Sequence, residues 1–151
     1  NPTNAQSINL LVKELARLGS NNPIHLFGPI CERFHNSTDF VRLHGVVEDI
    51  NSFYDNVECV VNADLHGTGL KIKTVEALCR KKAVISTKSG FAGISSPHQF
   101  HNCESIEELS CFIADATPSL LRQVNSASTS VAQKYIKEVA DQEKSLMEWL
   151  H

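Results

Sequence analysis

The stretch Gly67-Thr68-Gly69-Leu70-Lys71-Ile72-Lys73-Thr74-Val75-Glu76-Ala77-Leu78 sets two glycines, two ammonium groups and one carboxylate at the entry of a helix. Glycines let backbone N–H groups come close to an anion. The first turn of a helix carries unpaired N–H groups and the positive end of the dipole, and lysines add point charge. A phosphate suits such a junction. A carboxylate further along the helix suits sugar hydroxyls, because it only accepts hydrogen bonds and a vicinal diol donates two. At about 100° per residue, Ile72, Val75 and Cys79 share one face and Glu76 lies at its edge, where partial desolvation calls for a partner. Lys73 lies three residues earlier and within reach, so an ordinary surface ion pair is the simpler alternative for these two charges.

Short, nearly continuous apolar runs over 24–27, 40–44, 58–62 and 83–87 predict strands, with a weaker one over 99–103. Helices alternate with them. The first opens on a capping box, Thr3 with Gln6, and carries the stripe Ile8, Leu11, Val12, Leu15, Leu18 up to Gly19. A short helix holds Ile50, Phe53 and Tyr54, the glycine-lysine segment leads into a helix over 70–81, and Ser105 with Glu108 caps another over 105–116. This alternation predicts right-handed crossovers and an α/β domain whose parallel sheet has helices on both faces. The last third, 118–151, reads as two helices packing on the domain, over 118–124 and 128–150, joined at Ser126-Ala127-Ser128-Thr129-Ser130. The longer one turns Ala132, Tyr135, Ile136, Val139, Leu146 and Leu150 inward.

The 151 residues fit a single domain, long enough to bury roughly 68 to 70% of the surface that the unfolded chain exposes. A net charge of -3 leaves no electrostatic footprint for nucleic acid. No apolar run approaches the roughly 18 residues that cross a bilayer and no signal peptide is visible, so a soluble, cytoplasmic domain is expected. Cys31, Cys59, Cys79, Cys103 and Cys111 are odd in number and widely spaced, which points to reduced thiols. His98 and His101 are spaced like two metal ligands but lack a third, so no metal is expected. Asn36-Ser37-Thr38 has the pattern of a glycosylation sequon, which in the cytoplasm means only a polar loop. Gly67 and Gly69 lack both the P-loop spacing and the third glycine of a dinucleotide fingerprint, whose position is Ile72.

The order of segments resembles a known family. Val-Arg-Leu-His-Gly-Val-Val-Glu-Asp-Ile from Val41, then Tyr54, the apolar run 58–62, the glycine-lysine-glutamate stretch, Lys82-Ala83-Val84-Ile85-Ser86-Thr87 and Gly90-Phe91-Ala92-Gly93-Ile94 resemble the C-terminal, donor-binding domain of group 1, family-four-type glycosyltransferases of the GT-B fold. Ile24-His25-Leu26-Phe27-Gly28 is similar to the strand and glycine that precede them in that family. The resemblance implies a doubly wound, Rossmann-like parallel sheet and a nucleotide-diphosphate sugar as donor substrate. Glu76 is then placed on the ribose hydroxyls, and Lys71 or Lys73 with the backbone of Gly67, Thr68, Gly69 and Leu70 on the diphosphate. Gly45 and Val46 would meet the nucleobase and His66 the donor sugar, while Gly28, Ser89, Gly90 and Gly93 would line the same crevice. The chemistry implied is hexosyl transfer with retention of configuration, without a cofactor or magnesium, protein cations stabilising the leaving diphosphate.

The chain also departs from the family pattern. Many members carry a second glutamate eight positions before the first, and here that position is Thr68. The family's donor domain begins with a strand upstream of the first helix, and its acceptor binds to a separate N-terminal domain. The resemblance therefore implies a fragment of a two-domain enzyme, inactive by itself, whose sheet lacks a central strand, the alternative being a sheet that closes up or borrows a strand from a neighbour; any peripheral membrane association would belong to the absent part. A nucleotide-sugar 2-epimerase of the same architecture and a non-catalytic nucleotide-binding or interaction domain are the alternatives.

Overall fold

The computed structural model describes residues 2–34, 38–67 and 69–149, apart from the side chains of Pro2 and Thr3. The sequon's Asn36 and Ser37, and Thr68 and Leu150, therefore lie outside the described residues. The element order is helix α1 (Pro2–Arg17), strand β1 (Ile24–Leu26), strand β2 (Val41–Leu43), helix α2 (Ile50–Asp55), strand β3 (Cys59–Asn62), helix α3 (Ile72–Cys79), strand β4 (Ala83–Ser86), helix α4 (Ile106–Ala114) and helix α5 (Pro118–Trp149).

Helix α1 buries the expected stripe through Leu11, Val12 and Leu15. It ends as its glycine predicts: Gly19 takes φ 67°, its N–H donates to the Ala16 carbonyl, and the Ser20 N–H reaches back to Leu15. Thr3 falls inside the helix instead of at its cap. Ser105 is the cap that its spacing predicts, accepting the Glu108 N–H, while the Glu108 carboxylate accepts the N–H of Glu104 at 2.8 Å.

The strands pair in parallel, Ile24 with Val41 to Leu26 with Leu43, and Cys59 with Ala83 to Asn62 with Ser86. They form two separate two-stranded sheets, not one continuous sheet. A cleft of about 1080 Å³ lies between the pairs, lined by β1 and β3 together with Leu11 from α1 and Phe53 from α2. Alternate residues of the wholly buried β4 face different helices. Ala83 and Ile85 pack with Leu11, Leu15, Leu109 and Ile113, and Val84 packs with Tyr54, Leu78, Phe91 and Val131. The architecture is a mixed α/β domain with short parallel sheets, compatible with a Rossmann-like arrangement.

Three expectations are corrected. Residues 99–103 are a 3-10 turn, Gln99–His101, in which only Cys103 bridges to Thr87. The Asn102 side chain donates to the carbonyls of Ser96 and His98, curling the chain where a strand would extend it. The two C-terminal helices are one helix of 32 residues. Its serine run contains no glycine or proline, and Ser128 is buried, accepting the Val84 N–H at 3.0 Å. Tyr135 still packs against the core as expected, but beyond it the helix leaves the core, so that Ile136, Val139 and Leu146 are exposed at 53%, 44% and 58%.

Buried His101 ties α5 to the segment that follows β4, with Nδ1 2.7 Å from Ser96 Oγ, Nε2 3.0 Å from Ser128 Oγ, and the ring stacked on Phe91 at 4.3 Å. Burial, aided by neighbouring His98, lowers its pKa to about 4. All five cysteines are free thiols, and burial pushes Cys59 and Cys103 up to about 12. Among the described residues no group of three or more His, Cys, Asp or Glu side chains is placed to hold a metal. None of the described helices is long and apolar enough to cross a membrane.

Candidate functional site

A buried polar knot anchors the site. Asn62, the last residue of β3, donates from Nδ2 to Thr74 Oγ1 and to the Gly90 carbonyl, both at 2.9 Å, and its Oδ1 accepts the Asp64 N–H at 3.2 Å. Thr74 Oγ1 donates to the same Gly90 carbonyl at 2.6 Å, and the Gly90 N–H donates to Thr87 Oγ1 at 3.0 Å. A Cβ on Gly90 would lie 2.5 Å from Ser86 Oγ and 2.7 Å from the Asn62 carbonyl, so only glycine lets the chain pass. These bonds tie the carboxyl ends of β3 and β4 to the first turn of α3. Satisfied buried polar groups of this kind specify one geometry.

The glycine loop spans the space between them. Gly67 and Gly69 take φ 105° and 83°, a region open to glycine and strained for other residues. Ser89 Oγ donates to the Gly67 carbonyl at 3.4 Å, and a Cβ on Gly93 would meet Leu70 Cδ1 at 3.0 Å, so the turn after β4 closes against the loop. Lys71 folds back over it: Nζ lies 2.7 Å from where a Cβ of Gly67 would stand and donates to the His66 carbonyl at 3.4 Å. Lys71 is also the N-cap of α3, its carbonyl accepting the N–H groups of Thr74 and Val75. The N–H groups of the helix's first residues have no partner inside the helix.

The charges pair differently from the sequence expectation. Lys73 Nζ meets Asp64 Oδ1 at 3.1 Å instead of meeting Glu76. Glu76 lies 3.7 Å from Arg80 Nε, and Arg80 donates to Asn51 Oδ1 at 2.7 Å while its guanidinium sits 4.7 Å over the Tyr54 ring. Burial, and then the Glu76 charge, push the Tyr54 hydroxyl up to about 12. The buried face of α3 is Thr74, Ala77 and Leu78, whereas Ile72 is 79% exposed and Cys79 is on the surface. Of the stripe read from Ile72, Val75 and Cys79, Val75 packs against the core while Ile72 and Cys79 are corrected, since Asn62 supplies a polar partner that draws Thr74 inward.

A second corner lies at the carboxyl ends of β1 and β2. The Gly28 N–H donates to the Gly45 carbonyl at 2.5 Å, both glycines at positive φ, and the Gly45 N–H points to Cys31 Sγ at 3.3 Å. His44 stacks on Phe27 at 4.3 Å and shares a 2.8 Å hydrogen bond with His25. Val46 is 70% exposed.

The structure thus brings Gly67, Gly69, Leu70, Lys71 and Ser89 together around one loop, turns the Lys73 side chain to Asp64 beyond β3, joins Gly28 to Gly45 in another corner, and leaves His66 exposed. Gly90 is buried, with its carbonyl already accepting two hydrogen bonds. Sequence reasoning missed Asp64, Asn62, Thr74 and Arg80. An acid two residues past an apolar run was the only trace of Asp64, and its lysine stands nine positions away, outside any helical period.

No curated protein and no solved structure matches this chain. A family model described as Glycosyl transferases group 1 matches residues 1–123, which hold every residue of the loop, the knot and the β1–β2 corner. The chain belongs to the group 1 glycosyltransferases.

Proposed function

We propose that this domain binds a nucleotide-diphosphate sugar for glycosyl transfer, with the diphosphate seated on the loop ahead of α3. The observation that carries the reading is the convergence at one point of two positive-φ glycines, the Lys71 ammonium and the start of α3 followed by Lys73. Each element favours an anion, and together they surround the place where negative charge builds on a leaving diphosphate. Glu76 takes the ribose hydroxyls, exchanging its long contact with Arg80 for two donors. Gly45 and Val46 face the nucleobase, and His66, Gly28, Ser89 and Gly90 belong to the surrounding crevice. Retention of configuration, a hexosyl donor and independence of metal complete the reading.

The same reading makes the domain one half of an enzyme whose acceptor site lies on another domain, and gives the cleft between β1 and β3 to a strand joined ahead of α1. Both strands turn an unpaired edge toward the cleft among the described residues, and a parallel strand there would satisfy both. The chain as it stands then binds donor without transferring sugar.

Thermal unfolding against UDP, GDP, ADP, CMP and dTDP derivatives tests the reading. A cognate ligand at about 100 times its Kd adds roughly 2.7 kcal/mol. Lys73→Ala and Glu76→Ala should each abolish that shift with the fold intact. Full binding by both variants, or no response to any nucleotide, contradicts it.

A further inference from the structure

The Asp64–Lys73 pair offers a site of discrimination inside the proposed phosphate seat. The backbone of Asp64 is held independently of the lysine, its N–H donating to Asn62 Oδ1 and its carbonyl accepting the Thr87 hydroxyl, and its side chain is only 13% exposed. Lys73 is half-exposed on a flexible stem, so the ammonium can swing toward a ligand while the carboxylate stays behind. An anion that takes Lys73 must therefore bind within a few ångströms of the Asp64 carboxylate.

We infer that Asp64 is a specificity-determining residue, which shifts this seat toward a diphosphate esterified at both ends, as in a sugar nucleotide, and away from one with a free terminal phosphate. The inference rests on the proposed function. A diphosphate esterified at both ends carries two negative charges. A nucleoside diphosphate gains a third as its terminal phosphate loses a second proton, at a pKa of about 6. The extra charge meets Asp64 at short range, so the carboxylate cancels more of the lysines' attraction for the trianion than for the dianion. Asp64 thereby weakens the hold on the product more than the hold on the donor.

The test uses inorganic pyrophosphate and symmetrical dimethyl pyrophosphate as probes, with affinities read from backbone amide shifts at constant ionic strength. In the wild-type chain the lead of pyrophosphate over the dimethyl ester should stay below tenfold despite its larger charge. Asp64→Asn should tighten pyrophosphate by about tenfold and the ester by clearly less, because the removed charge acts most on the more highly charged ligand. Asp64→Ser is a second neutral variant with the same expected outcome if the first does not fold, and Asp64→Glu should restore the wild-type ratio. A wild-type preference for pyrophosphate of tenfold or more, or an equal gain for both probes in the neutral variants, overturns the inference and leaves the phosphate seat standing. Failure of every protein to bind either probe overturns the seat and the inference together.

Discussion

The two glycine corners of this domain are built by opposite means. At the ends of β3 and β4, Gly90 is walled in by Asn62 and Ser86, and the first turn of α3 hangs from a buried network of side-chain hydrogen bonds. At the ends of β1 and β2, Gly28 and Gly45 are joined backbone to backbone, nothing lies within 4 Å of where their Cβ atoms would be, and exposed rings of His25 and His44 cover the edge. The first corner leaves no room for a single added carbon, and the second has open space at both glycines. Ionic chemistry belongs where charges must be held in register. On the proposed function, the looser corner would meet the nucleobase, largely through backbone groups.

Substitutions at the paired glycines break the contrast most directly. Gly90→Ala forces a methyl into backbone and buried polar atoms, and should destabilise by about 3 kcal/mol in urea unfolding. Gly28→Ala meets no neighbour and suffers only its positive φ, for a loss of about 1 kcal/mol. Equal losses would show that the corners are built alike.

Histidines sharpen the comparison through pH. His101, buried against β4, is held near a pKa of about 4 from an ordinary 6.5. Its neutral form is thus favoured by folding: the stabilisation is fully present above pH 6.5 and is lost as pH falls from 6.5 toward 4. At 1.36 kcal/mol per unit, the loss amounts to at most about 3 kcal/mol. His101→Gln should flatten urea-derived stability across that interval. His25 is lowered too, by burial, then by His44 and Arg42, but it stands at the exposed corner. His25→Gln should leave the slope nearly unchanged. The smallest effect is expected outside both corners, at the surface pair Lys88–Glu104, where Lys88→Ala should cost less than about 0.5 kcal/mol.

How legible each feature was depends on the kind of interaction behind it. The α1 stripe, the Ser105 cap and the four strand positions follow from local apolar periodicity and capping chemistry, and they emerge within one or two residues of expectation. The glycine loop ahead of a helix was equally readable, because φ > 0 and a helix start are local properties. The face of α3 was not. Thr74 goes inward because Asn62 waits for it twelve residues earlier, and Ile72 is left outside. Likewise the serine run of α5 reads as a joint until Val84 and His101 are seen to bond Ser128. Apolar pattern therefore recovered the scaffold, whereas long-range polar pairs, Asp64 with Lys73 above all, appear only in three dimensions.

The most direct measurement is a crystal structure of the domain with whichever nucleotide gives the largest thermal shift. The account predicts diphosphate oxygens against the Gly67–Gly69 loop and the Lys71 and Lys73 ammoniums, with the ribose hydroxyls on Glu76. A nucleotide bound elsewhere, with Lys73 still on Asp64 and Glu76 still on Arg80, would contradict it.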